Sequence, residues 1–359
     1  RFTFVALDTD RPEHAGVIAR YPPQVWPTFY VIDPVTGDVR GRWLGAASKA
    51  QFLAFLGEAQ AAAGPDDPAG LARRADQKAA EGRLAEAESL YARALAAGPA
   101  AWTRRPDLRT AQITLRHKLG DHAECAELAA QALPEALAGA TPSAADFVYY
   151  LHACVTALPR SPERAALLGH AAAGLEGVLA AEPSTLSVDD RSELLRVVRQ
   201  LHLALGDEAA ARSAAERQAA LLAQAWGTGD AQTRMGHAWP RCEVHSHLGT
   251  LAALEPDLVA LTEALPDAYD PAYRLAWARR GLGQLRDALA PAERAVSLAY
   301  GPRRARARQL LADIQEGLGE LAASRRTWQA VLTDLEALPA RERPPGAEEA
   351  ARKALGRWR

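Results

Sequence analysis

The sequence predicts a mostly α chain with a short mixed α/β segment in front and a stack of helical hairpins behind. Three observations carry that reading. The 359 residues are rich in Ala, Leu, Arg and Glu, the composition of helical protein. Up to about Gln60 the pattern is mixed, with short β-branched and aromatic runs between turn residues. From about Leu71 onward it is helical, punctuated by Gly and Pro, and the spacing Gly-x-x-x-x-Ala returns again and again.

The elements follow in order. Phe2 to Asp8 alternates like a strand, and Glu13 to Arg20 reads as a short helix. Thr28 to Ile32 is a strand rich in β-branched and aromatic residues. In "DPVTG", Pro34 favours a bend and Gly37 accepts positive φ, so Val39 to Leu44 returns as the second arm of a hairpin. Ser48 is an N-cap for "SKAQFLAFLGEAQ", where Phe52, Phe55 and Leu56 share one buried face.

Behind a linker at 63–70, "LARRADQKAAEGRLAEAESLYARALAAGP" is the clearest repeat unit. Ala75 is the small residue of its first helix, Gly82 makes the turn, Ala87, Tyr91 and Ala94 line its second helix, and Pro99 stops it. Four further units carry the same marks: Gly120 with Cys125, Ala129 and Ala132; Gly206 with Ala211 and Ala215; Gly283 with Ala276, Ala288, Ala292, Ala295 and Pro302; Gly319 with Ala312, Ser324, Trp328 and Val331. Small side chains let two antiparallel helices approach, and larger ones such as Tyr91 and Trp328 fill the gap to the next pair. One pair cannot bury its apolar face alone, so such pairs stack. The helices near Phe147 to Val155 and Arg164 to Leu179 are degenerate members of the series. Irregular loops are expected near 134–146 and 226–256.

Two resemblances follow from these residues. The hairpin series resembles the tetratricopeptide repeat, a helix–turn–helix of about 34 residues, and implies an α-solenoid that binds a protein or peptide partner on its concave face. The first 60 residues resemble the C-terminal half of the thioredoxin fold. "FVALDTD" is similar to its third strand, "YPPQVWPTFYVID" to the approach to its fourth strand, and "LGAASKAQFLAFL" to its last strand and helix. That resemblance implies a cis peptide before Pro27. It also implies a substrate-binding edge made by Trp26, Pro27, Thr28 and Gly45, with the Trp26 backbone pairing with a bound peptide as an added strand.

The family's Cys-x-x-Cys half is absent, and Ala6 stands where many thioredoxins have lysine. No catalytic residue is therefore assigned, and this chain alone is expected to lack thiol reductase activity. With its neighbouring strands missing, Phe2 to Asp8 is expected to be frayed, or to pair with Thr28 to Ile32.

The expected organisation is thus a partial thioredoxin-like domain over 1–62, a linker over 63–70, a tetratricopeptide-like domain over 71–338, and a tail or capping helix over 339–359. The opening inside a strand, without methionine, reads as a fragment of a longer chain. Its parent is expected to be a thiol–disulfide oxidoreductase with a protein-binding repeat domain. The alternative is a redox-inactive scaffold for protein–protein interaction.

Other classes find little support. The formal net charge is −2, so nothing at the whole-chain level points to nucleic acid. No apolar run approaches the roughly 20 residues of a membrane span. Cys125, Cys154 and Cys242 lie far apart, form no Cys-x-x-Cys and imply no disulfide framework, a usage that suits a reducing compartment; the cytoplasm is favoured, with export the alternative should a signal lie upstream of Arg1. Cys125 and Cys154 are expected to be buried packing residues. In "MGHAWPRCEVHSHLG", His237, Cys242, His245 and His247 are candidate metal ligands, but their spacing fits no zinc motif and the stretch reads as a loop running into a helix, so no metal and no cofactor are assigned.

Overall fold

The computed structural model describes residues 2–181, 186–344 and 346–357, with the Arg341 side chain left aside. Among them the chain forms two compact units, Val17–Gln218 and Arg1–Gly16 with Ala219–Arg359.

After a 3-10 turn over Pro12–His14 come α1 (Ala15–Arg20), β1 (Thr28–Ile32), β2 (Val39–Leu44) and α2 (Lys49–Gln60). β1 and β2 pair antiparallel, with Thr28 opposite Leu44 and Ile32 opposite Val39. The connecting turn forms as its residues demand. The Asp33 carboxylate accepts the Val35 N–H at 2.9 Å and the Thr36 N–H at 3.2 Å, and Gly37 takes φ +74°. At the start of α2 the Ser48 side chain accepts the Gln51 N–H while the Gln51 side chain accepts the Ser48 N–H, a complete capping box.

Phe2 to Asp8 forms no strand, the frayed one of the two expected outcomes, and the β1–β2 pair is the whole sheet among the described residues. Without strands to satisfy its backbone, that segment stays irregular, and Phe4 and Val5 are exposed. It belongs to the other compact unit, where Asp8 and Asp10 hold Tyr300 and Arg303.

The rest of unit Val17–Gln218 is helical: α3 (Pro68–Ala80), α4 (Leu84–Ala97), α5 (Arg105–Lys118), α6 (His122–Leu137), α7 (Ser143–Ala157), α8 (Pro162–Ala180), α9 (Val188–Leu205) and the start of α10 (Glu208–Thr228). Consecutive helices pack as hairpins, and the first helices of successive hairpins also touch, α5 on α7 and α7 on α9. That is the stacking that buries what one pair leaves exposed.

The other unit continues with α11 (Ala231–Leu248), a 3-10 turn over Leu251–Leu254, α12 (Glu255–Ala264), α13 (Tyr269–Gly281), α14 (Leu285–Leu298), α15 (Gly301–Gly317), α16 (Leu321–Ala337), a 3-10 turn over Ala340–Glu342 and α17 (Ala347–Gly356). Here α11 touches α13 and α13 touches α15, and α17 caps α16. The expected tail or capping helix over 339–359 extends to Trp358 and Arg359, which lie outside the described residues.

The repeat marks fall where the sequence puts them. Gly82, Gly120, Gly206, Gly283 and Gly319 all adopt φ between +75° and +79° at the turn of a hairpin, which any side chain would strain. Ala75, Ala87, Ala94, Ala129, Ala211, Ala215, Ala276, Ala288, Ala292, Ala295 and Ala312 are fully buried, as are Tyr91 and Ser324.

Four expectations need correction. The expected boundary at 63–70 falls inside the unit Val17–Gln218, because β2 packs on α3 and α5. The stretch around 226–256 is helix rather than loop. α11 runs through Pro240, held by a buried stripe of His237, Ala238, Arg241, Cys242 and Val244. Most of 134–146 is helical too, with Pro134 inside α6 and only 138–142 between helices. Finally, Cys125 and Cys154 are buried as expected, but they form a disulfide joining α6 to α7. Their Cα atoms lie 5.9 Å apart, within the usual range, because each sits on the face its helix turns to the other.

Candidate functional site

β2 and the loops around it are bolted to the first repeats by a buried polar network. The Arg42 N–H donates to Asp76 at 2.9 Å, and its guanidinium donates to Gln24 Oε1 at 2.6 Å and to Tyr91 Oη at 2.9 Å. Tyr91 in turn donates its hydroxyl to Asp76. Arg42 and Asp76 are 2% and 1% exposed, so neither charge has water to fall back on. A second guanidinium, Arg104, donates to Asp107 at 2.7 Å, Glu58 at 3.0 Å and the Arg42 carbonyl at 3.4 Å. The network therefore spans β2, α2, α3, α4 and α5. Burial pushes the Tyr91 hydroxyl far above its ordinary value, which keeps it neutral and donating.

The four residues expected as a substrate-binding edge lie beside this network. The peptide between Trp26 and Pro27 is cis. Trp26 is 69% exposed. Thr28 starts β1, its hydroxyl donating to the Val25 carbonyl, and the Pro27 carbonyl accepts the Gly45 N–H at 2.8 Å. The Gly45–Ala46 loop, however, is covered. The Asp146 carboxylate of α7 accepts the Ala46 N–H at 2.8 Å, and a Cβ on Gly45 would lie 2.2 Å from it. The structure brings Trp26, Pro27, Thr28 and Gly45 together, with the Gly45 side of the group closed by α7.

Asp146 is the titratable group of this contact. Burial pushes its carboxyl up to about 7, with Glu193 and Asp190 adding to the rise and the Ala46 hydrogen bond opposing it. The folded protein thus holds a proton that the unfolded chain, titrating near 3.8, has released. Stability falls as pH rises from about 4 to about 7. Asp146→Asn keeps an acceptor for the Ala46 N–H and should flatten that slope. Thermal melts across this window check it, and parallel curves for the two proteins would remove Asp146 as the source.

The sequence candidates for metal do not converge. His237 and Cys242 are buried on α11, and His245 is turned to Thr250 Oγ1 at 2.9 Å. Burial raises the Cys242 thiol to about 11, which makes it a poor nucleophile at neutral pH. Among the described residues, the group whose ligand atoms do lie together is His117, His122 and Cys154, all within 4.8 Å of one another. His117 ends α5, His122 begins α6 and Cys154 lies on α7. Burial, together with His122 and Lys118, lowers the His117 pKa and favours the neutral imidazole. Sequence reading passed over this group because its three members come from three helices. The pair His117-x4-His122 across a turn glycine was the one visible signal.

No protein-family model matches the chain, and no curated protein matches it. Solved structures do. A tetratricopeptide repeat protein from Parabacteroides merdae ATCC 43184 superposes with a TM-score of 0.51 at 15% identity, covering 80% of this chain and 97% of that one. Its likeness shows the fold: this chain is built of tetratricopeptide-like helical repeats. A putative kinesin light chain from Podosopora anserina with nearly identical TPR-like repeats reaches 0.39 at 17% identity, over 54% of this chain and 93% of that one. A thermophilic TPR protein in Thermus thermophilus reaches 0.36 at 16% identity, over 69% and 99%. Neither of these two lower scores adds to the assignment of the fold. No described helix is long and apolar enough to cross a membrane.

Proposed function

We propose that this chain is a binding scaffold whose tetratricopeptide-like hairpins hold a protein or peptide partner, and that it carries no thiol reductase activity of its own. The observation behind this reading is the repeat architecture itself: glycine-turned hairpins with alanine-lined interfaces, whose outer helix faces are free to vary without disturbing the packing. The cysteines give no support to a reductase. Two are joined in a buried disulfide, and burial holds the third as a thiol.

The thioredoxin-type reading would make Trp26, Pro27, Thr28 and Gly45 a peptide-binding edge. In its favour stand the hairpin-then-helix order and the exposure of Trp26. Against it stands the cover that Asp146 lays over Gly45.

The test has two arms. A partner captured by the chain is purified and titrated against it, and hydrogen exchange maps the contact. Slowed exchange on the repeat helices α3–α16 is the expected footprint. Binding confined to residues 17–62 would sink the scaffold reading in favour of the edge. In the second arm the chain is assayed for insulin reduction, with no turnover expected. Turnover abolished by Cys→Ser at any of the three cysteines would restore an oxidoreductase.

A further inference from the structure

The disulfide and the two histidines beside it form one cluster. Cys154 Sγ lies 3.8 Å from His117 Nδ1. Two such ligands on a tetrahedral zinc, with Zn–S and Zn–N bonds of usual length, sit about 3.6 Å apart. The His117 and His122 rings have centroids 5.3 Å apart at an interplanar angle of 53°, so they converge on the same space without stacking. His122 Nδ1 is buried and makes no hydrogen bond, an orphan acceptor or donor that a native site rarely leaves without a role. Cys154 is fully buried, and its disulfide partner Cys125 is fully buried too. The converging group holds one sulfur, Cys154; Cys125 Sγ lies outside it, directed to the Ile113 carbonyl, and joins only by turning in once its bond to Cys154 is broken, which gives two imidazoles and two thiolates, a donor set that suits zinc.

We propose that reduction of the Cys125–Cys154 disulfide opens a zinc site made by Cys154, Cys125, His117 and His122. The chemistry balances with a dithiol as reductant. Its two thiols give two electrons and two protons to the protein disulfide; the S–S bond breaks, Cys125 and Cys154 become thiols, and the dithiol becomes a disulfide. Zinc then displaces the two thiol protons to solvent and binds the thiolates and the neutral imidazole nitrogens. In the oxidised protein the sulfurs are spent on each other and the site is closed to metal. The same two sulfurs therefore hold α6 to α7 in either state, once through a covalent bond and once through a metal that also ties in the end of α5.

Cobalt(II) tests the site, because a cobalt–thiolate bond gives a charge-transfer band that histidine alone does not. All proteins carry Cys242→Ser, so that no other thiol contributes. The oxidised protein should give no band. The protein unfolded with a phosphine reductant and refolded without oxygen should bind one equivalent and show it. Cys125→Ser, which leaves Cys154 free beside both histidines, should show it with no reductant treatment. His117→Ala with His122→Ala in the reduced protein should abolish it, and zinc should displace the cobalt.

Three results would overturn the proposal. One is a reduced protein and a Cys125→Ser variant that keep their helical circular dichroism yet give no band. A second is a band that persists without both histidines. The third is loss of helical structure in both reduced forms, since the site requires α5, α6 and α7 to keep their packing.

Discussion

Arg42→Met is expected to lower the stability of the unit Val17–Gln218 by about 3–5 kcal/mol, the usual cost of breaking a buried ion pair from one side. The side chain of Arg42 is fully buried against Asp76, Tyr91 and Gln24, and methionine fills much of the same space. What it cannot do is compensate Asp76. That carboxylate is already raised in pKa by burial with two guanidinium groups near it, and losing one raises it further. The variant should therefore be most stable at low pH, where Asp76 takes up a proton, and should weaken as pH rises. Arg42→Met with Asp76→Leu removes both charges and should recover most of the loss, because a whole buried pair can be replaced by apolar groups at little cost. Urea unfolding of the three proteins measures this. A loss below about 1 kcal/mol for the single variant would mean that water reaches Asp76 and that the network does not lock the hairpin to the repeats.

Trp328→Ala should cost the other unit about 3–5 kcal/mol. Trp328 is 5% exposed and packs with Ala305, Ala312, Val331, Leu335 and the capping helix residues Ala347, Ala351 and Ala354. Those neighbours are mostly alanines on helices already in contact, so they cannot collapse into the space of an indole. Trp328→Phe should cost far less, since the indole Nε1 is buried without a hydrogen-bond partner and its loss leaves no group unsatisfied. Equal losses for the two variants, read from chemical denaturation, would show that α17 repacks and that no cavity is left behind.

The parts of the fold that depend on local rules were legible in the sequence. Turn glycines announce themselves because only glycine takes φ near +77° cheaply, and Gly82 and Gly319 did so at opposite ends of the repeat series. The limits of β1 and β2 were readable from β-branched runs and the Asp33–Gly37 turn. What local rules do not carry was missed. Pro240 reads as a breaker, yet the buried stripe from His237 to Val244 outweighs it. Cys125 and Cys154 are 29 residues apart, and only the packing of α6 on α7 makes them neighbours. His117 and His122 join them for the same reason. The docking of the hairpin onto α3 and α5 depends on Arg42, Asp76 and Arg104, whose partnership spans 62 residues and shows no spacing rule. A resemblance to half of a thioredoxin fold drew a domain boundary where these charges draw none.

The clasp of Asp8 and Asp10 on Tyr300 and Arg303 sets an order of events. These hydrogen bonds join residues 292 and 293 positions apart, and Arg11 lies over the Tyr300 ring at 4.1 Å. Gly301 leaves room for the Asp10 carbonyl, where a Cβ would come within 2.1 Å. During synthesis the first of these residues leave the ribosome long before α15 exists to receive them. Over that interval helices form by neighbour contacts downstream. The clasp is thus a closing event, made after the repeats, and a chain stopped before residue 300 would leave Asp8 and Asp10 without the Tyr300 hydroxyl and the Arg303 guanidinium.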